Sequence, residues 1–195
     1  MIKRFIFICT LFLILSLPGY IHAQIKYYLP IILKSHQSPP SIKKGISAIP
    51  WDGCTDADTL RSSWYYNWQS TGECGDIEFV PMVWGKDNFT DKVEQAIAAS
   101  NGWILGFNEP DMVSQANISP YQAAILWRHL ESEAIGIKLV SPAPSQHDPD
   151  WLKRMVVEYK RLYGESPRFD AIGVHIYSSD FHTMVEYIEA RHVEY

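Results

Sequence analysis

The feature that most constrains this chain is a regular alternation of two hydrophobic periods between Lys44 and Tyr177. Short apolar runs recur at 44–49, 64–68, 77–84, 103–107, 138–142 and 169–177. Between them lie segments of helical period, at 56–63, 91–100, 119–135 and 148–164, and a last one from Ser178 or Ser179 to the final residue. Ala123, Leu126, Trp127, Leu130 and Ala134 fall on one helical face, as do Trp151, Leu152, Met155, Val156, Tyr159 and Leu162. This is the spacing of a 3.6-residue repeat. Ser119-Pro120 and Asp148-Pro149 pair a capping side chain with a proline at the first helical position. Asn101-Gly102, Gly136 and Gly164 close helices, glycine being the residue that tolerates the left-handed conformation there.

Strands that alternate with helices pair in parallel through right-handed crossovers. Several of these runs are apolar on both faces, as buried parallel strands are. Two architectures fit, an open doubly wound sheet and a closed (β/α)8 barrel. The first strand is followed by Trp51-Asp52-Gly53-Cys54, and neither GxGxxG nor GxxxxGK occurs, so the phosphate-binding turn of the open sheet is missing. Polar and aromatic residues instead gather at the C-terminal ends of the strands: Trp68, Trp84, Asn108-Glu109, residues 145–147, and His175 with Tyr177. That end faces the active site of a barrel. The expected fold is α/β, of (β/α)8 TIM-barrel type. Trp103, Trp127 and Trp151 read as core or helix-packing residues, and Tyr65 points inward by strand alternation. Asp170 begins its strand and reads as structural, and Asp111 reads as fixing a loop.

The first 23 residues read as a signal peptide, with Lys3-Arg4 ahead of a thirteen-residue apolar or neutral run, a Pro18-Gly19 break and a small-residue site at Ala23. The run is short for a membrane span, which needs about 20 residues; an uncleaved anchor is the alternative. Residues 24–42 read as a linker, its 35–41 stretch being rich in Ser and Pro, and 43–195 as the catalytic region. Export to a secreted or cell-surface location implies an oxidising compartment. Cys9 lies inside the leader, so of the three cysteines Cys54 and Cys74 are the pair left to form a disulfide; two free buried thiols are the alternative. Net charge is −5 and no basic cluster follows residue 4, which disfavours nucleic acid as a partner. No metal site, cofactor or obligate protein partner is expected.

The sharpest motif is Gly106-Phe107-Asn108-Glu109-Pro110-Asp111. An apolar strand delivers Asn-Glu to its C-terminal end, and Pro110 stops it. A carboxyl group among aromatics in such a position has the setting of a general acid. Equally, Glu109 or Asp111 could cap a turn or pair with a surface base.

On the segments KKGIS (43–47), SWYYNW (63–68), FVPMVWG (79–85), ILGFNEPD (104–111), LVSPAPS (139–145) and FDAIGVHIY (169–177), the chain resembles the glycoside hydrolase family 128 (Asl1-like) catalytic domain. The resemblance implies a (β/α)8 barrel that cleaves β-1,3-glucan with retention, with a polysaccharide as its partner. It also implies Glu109 as acid/base and Asn108 as the residue facing the sugar 2-hydroxyl, with His175 and Tyr177 as the sixth-strand pair. Trp64, Tyr66, Asn67, Trp68 and Trp84 would be cleft positions that meet the substrate; aromatic faces suit the flat C–H faces of sugars. A retaining hydrolase needs a second carboxylate, which in this clan ends the seventh strand. Only six strands are legible here, so the reading is a fragment holding about six of eight strands and lacking the nucleophile strand. Such a chain alone is expected to be inactive. The alternative is a secreted, non-catalytic β-glucan-binding protein.

Overall fold

A computed structural model describes residues 41–47, 53–72 and 74–194. The leader, Cys9, residues 24–40 of the linker and the end of the expected first strand lie outside the described residues. Among the described residues five strands are regular: β1 (Ser41–Ser47), β2 (Ser62–Tyr66), β3 (Glu78–Phe79), β4 (Trp103–Leu105) and β5 (Lys138–Val140). Five helices among the described residues follow or separate them: α1 (Gly53–Thr59), α2 (Phe89–Ala99), α3 (Pro120–Glu133), α4 (Trp151–Tyr163) and α5 (Phe181–Glu194).

Every ladder is parallel, as the alternation requires. β1, β2 and β3 are neighbours in that order, and β4 pairs with β5. Single bridges, Met82 to Leu105 and Val140 to Ala171, join the two groups and add a sixth extended segment. The described strands therefore succeed one another in chain order, which is the succession of a (β/α)8 barrel. Two expected strands are shorter than their apolar runs. In 77–84, Pro81 lacks a donor; Val80 N and Met82 N bond back to Tyr65 and Gln69, while Val83 N bonds forward to Leu105. In 169–177 the ladder with β5 reduces to the Ala171 bridge, with Gly173 N bonded instead to the Ser141 hydroxyl (3.0 Å).

The helix starts follow local chemistry. Ser119 accepts from Gln122 N at 3.2 Å ahead of Pro120, as expected. α4 departs from expectation: it begins at Trp151 rather than at Asp148-Pro149, because Asp148 gives its carboxylate to Arg154. α5 is capped by Asp180 rather than by Ser178 or Ser179. The Asp180 carboxylate accepts from His182 N, Thr183 N and the Thr183 hydroxyl. Gly164 closes α4 at φ 75°, as predicted.

One face of the strands is covered by helices. Ile104 and Leu139 pack there with Phe107, Trp127, Leu130, Met155 and Tyr159, all fully buried. Trp127 and Trp151 are core residues, as read from the sequence. Trp103 lies on the opposite face, beneath the Lys138 ammonium. A polar network seals the outer layer. Glu131 accepts from Tyr159 and from Trp127, and Arg168 donates to the carbonyls of Ile137 and Ala134. Asp170 accepts from Leu139 N at 2.8 Å, confirming its structural role and pinning the sixth segment to β5. At Gly106 a side chain would lie 2.7 Å from Pro142 N, so only glycine lets β4 approach the chain after β5 this closely. Cys54 and Cys74 form the expected disulfide, with Cα atoms 5.0 Å apart.

Candidate active site

Glu109 stands at the C-terminal end of β4 because successive backbone groups there bond to opposite neighbours. Asn108 N donates to Trp84 O (3.0 Å) on the β3 side, and Glu109 N donates to Ala143 O (2.9 Å) on the β5 side. The Glu109 backbone then turns into the left-handed region at φ 41°, where an L side chain costs about 1–3 kcal/mol. Glu109 is buried, at 5% exposure.

Two donors converge on one of its oxygens. His175 Nδ1 lies 2.9 Å from Glu109 Oε1, and the Tyr177 hydroxyl donates to the same oxygen at 3.0 Å. Both come from the sixth extended segment, on alternate residues that share a face. With His175 Nδ1 carrying its hydrogen, Oε1 accepts from two donors and a proton on this carboxyl group belongs on Oε2. That leaves Oε2 for a substrate oxygen. Burial, and then its bond to Glu109, raise the Tyr177 phenol above its ordinary pKa, so it stays a donor at neutral pH. Tyr66 is raised too, by burial first, with a bond to Ser47 opposing and the Glu109 charge adding. The Glu109, Tyr66 and Tyr177 groups thus share one electrostatic neighbourhood.

Asn108 is nearly fully buried. Its amide nitrogen donates to Gln115 Oε1 at 3.2 Å, and its Oδ1 is buried without a partner. Trp64, Tyr66 and Trp68 form a row, with ring centroids 6.5 Å and 5.1 Å apart. The row's two ends serve different spaces. Trp68 and Trp84 line a cleft of about 260 Å³ with Gln69, Asn88 and Lys92. Trp64 instead lies over Gly45 and lines a second cavity, of about 290 Å³, with Glu78, Val80, Trp103, Leu105 and Val140. Asn67 is turned to its own loop: its amide donates to Thr71 O and accepts from Gln69 N. It shapes the turn that carries Trp68, in place of the open cleft position expected of it. Tyr65 is buried against Phe79, as alternation requires.

Asp111 fixes a loop, as read from the sequence. Its carboxylate accepts from Ser145 N at 2.8 Å and from the Ser145 hydroxyl at 2.5 Å. Gln146, the next residue, accepts from Tyr177 N at 2.7 Å. Gln146 lies in the 145–147 strand-end cluster read from the sequence, whereas Gln115 escaped it, since an isolated glutamine in a loop carries no periodic or motif signal. Among the described residues no group of three His, Cys, Asp or Glu side chains could hold a metal ion.

The family model described as "Glycosyl hydrolase catalytic core" matches residues 49–195. No curated protein matches the chain significantly. Among solved structures, the chain is similar to a GH128 subgroup I endo-β-1,3-glucanase from Amycolatopsis mediterranei in complex with laminaripentaose. The two share 34% identity and a TM-score of 0.67, over 80% of this chain and 68% of that one. A subgroup II endo-β-1,3-glucanase from Sorangium cellulosum shares 29% identity at TM-score 0.64, over 78% and 70% of the two chains. A subgroup III curdlan-specific exo-β-1,3-glucanase from Blastomyces gilchristii shares 29% identity at TM-score 0.63, over 77% and 69%. The chain thus spans about two thirds of the length of these relatives. With an isolated carboxyl group held at a strand end by two donors, and with a family match over three quarters of its length, the chain belongs to the glycosyl hydrolase catalytic-core family, within GH128.

Proposed function

We propose that this protein is a secreted, retaining β-1,3-glucan hydrolase in which Glu109 is the acid/base. The observation that carries the reading is the convergence of His175 and Tyr177 on Glu109 Oε1. It leaves Oε2 to donate a proton to the glycosidic oxygen and later to accept one from water, the dual role that retention demands. Substrate class follows from the relatives, which were solved with laminari-oligosaccharides or act on β-1,3-glucan. The Trp68–Trp84 cleft offers the apolar faces a glucan chain stacks on, and Asn108 is the candidate for the sugar 2-hydroxyl.

The nucleophile belongs to the same reading. The Amycolatopsis enzyme was solved as variants of two different glutamates, and in this reading Glu109 is the counterpart of one of them. We place the second on a further strand outside the described residues, with the six described segments forming part of a (β/α)8 barrel. The leader pattern and the Cys54–Cys74 disulfide support export to an oxidising compartment.

Glu109→Gln tests the assignment. In the enzyme that also carries the further strand, hydrolysis of laminarin is expected to fall about 10²–10⁴-fold, the usual contribution of general acid–base catalysis, while binding of laminari-oligosaccharides persists. Unchanged turnover would assign the chemistry to another carboxylate. Saturable glucan binding without hydrolysis by the enzyme that also carries the further strand would favour the non-catalytic binding reading.

A further inference from the structure

We propose that the Ser145-Gln146 dipeptide is a shared brace that sets the Glu109 carboxyl group in register with its two tethers, and that Asp111 and Ser145 are positioning residues for proton transfer. The inference rests on the reading of Glu109 as the acid/base.

The starting point is the left-handed backbone at Glu109 (φ 41°). A non-glycine residue stays in that region only when its surroundings over-determine it. On its N-terminal side Glu109 is held by the Asn108–Ala143 bridge. On its C-terminal side, Met112 N bonds to Glu109 O at 3.0 Å. The Asp111 carboxylate then grips Ser145 through both main-chain N–H and hydroxyl. Bonds from a charged acceptor are about twice as strong as neutral ones, and Ser145 is almost fully buried. The loop after β4 is therefore clasped to the loop after β5 on both sides of Glu109.

The second half of the brace is the adjacent residue. Gln146 Oε1 accepts from Tyr177 N, so it holds the main chain of one donor to Glu109. One dipeptide thus grips the loop that carries the acid and the segment that carries its tether. A slip on either side changes the distance between Glu109 Oε1 and Tyr177. Neither clasp touches the carboxyl group itself, so their effect reaches it only through geometry.

The test uses Asp111→Ala, Ser145→Ala and Asp111→Asn, read in this chain by NMR of the Glu109 side-chain carboxyl and the His175 ring nitrogens, and by laminarin hydrolysis in the enzyme that also carries the further strand. Leu139→Ala, which weakens the distant helix-covered core, is the control for general destabilisation. Asp111→Ala and Ser145→Ala are expected to shift both signals and to lower kcat on the order of 100-fold, the cost of misplacing a reacting group by about 1 Å, with KM little changed. Asp111→Asn keeps one oxygen for Ser145 N and is expected to recover part of the loss. Ser145→Ala removes a single hydroxyl, so it serves where Asp111→Ala fails to fold. Unmoved Glu109 and His175 signals in both alanine variants would overturn the proposal. So would the same shifts in the Leu139→Ala control. If the enzyme that also carries the further strand hydrolyses no glucan, the functional reading fails, and the NMR comparison still decides whether the brace sets the carboxyl group.

Discussion

The two faces of the strands differ sharply. On the helix-covered face, Tyr65, Ile104 and Leu139 are sealed beneath aromatic and aliphatic side chains. On the other face, Trp64, Trp103, Leu105 and Val140 are only partly buried and line a cavity. Both kinds of residue alternate along the same strands, so composition does not separate them. What separates them is their neighbours. Helices close one face, and the other continues along Trp64, Tyr66 and Trp68 toward Glu109. The sealed face packs against helices, and the open face lines the interior of the strand array, with the Glu109 site at the C-terminal ends of the strands rather than on that face.

The comparison can be broken most directly with a pair of alanines. Leu139→Ala should cost about 2–5 kcal/mol of stability, as large-to-small changes in packed cores do. Leu105→Ala, on the open face, should cost far less, because it removes less buried surface. Equal losses in a urea melt would show that both faces are sealed alike. A smaller effect is expected at the site. Tyr177→Phe removes the hydroxyl donor from Glu109 Oε1 and, in the enzyme that also carries the further strand, should slow laminarin hydrolysis about tenfold, the equivalent of one ordinary hydrogen bond, with the melting temperature nearly unchanged. A large stability loss instead would make Tyr177 a structural residue like those of the sealed face. The smallest effect is in pH dependence. Tyr159 on the sealed face has its phenol pushed up to about 12 by burial, then by its bond to Glu131. The folded state holds that proton more tightly than the unfolded chain, so its stabilising contribution is complete below pH 10 and is lost as pH rises through 12. Tyr159→Phe should flatten that part of a thermal-melt series.

Much of the architecture was legible in the residues. The two hydrophobic periods located the helices, and parallel pairing followed from their alternation. Ser119-Pro120 marked α3, and Gly164 marked the end of α4. The misplaced starts at α4 and α5 share a cause: more than one capping side chain stood near each boundary, and hydrogen bonding chose between them. Arg154 took Asp148, and the turn after Ser178 left Asp180 to cap. At the site, Glu109, His175 and Tyr177 were singled out as strand-end residues, and the structure brings them together. Trp64 and Asn67 were singled out with them, but the structure gives Trp64 to the interior cavity and Asn67 to its own turn. Strand ends are visible in sequence, whereas the loop that bends back to claim an amide is not.

By itself the sequence pointed to the class of fold, to the Cys54–Cys74 pairing and to which carboxyl group to watch, because periodicity, cysteine count and motif are properties of the chain alone. Only the tertiary structure decided that both donors fall on the same oxygen of Glu109, and that Ser145-Gln146 grips both sides of that contact. Those relations join residues 31 to 68 positions apart. They are set by how neighbouring strands pack, which no local pattern records.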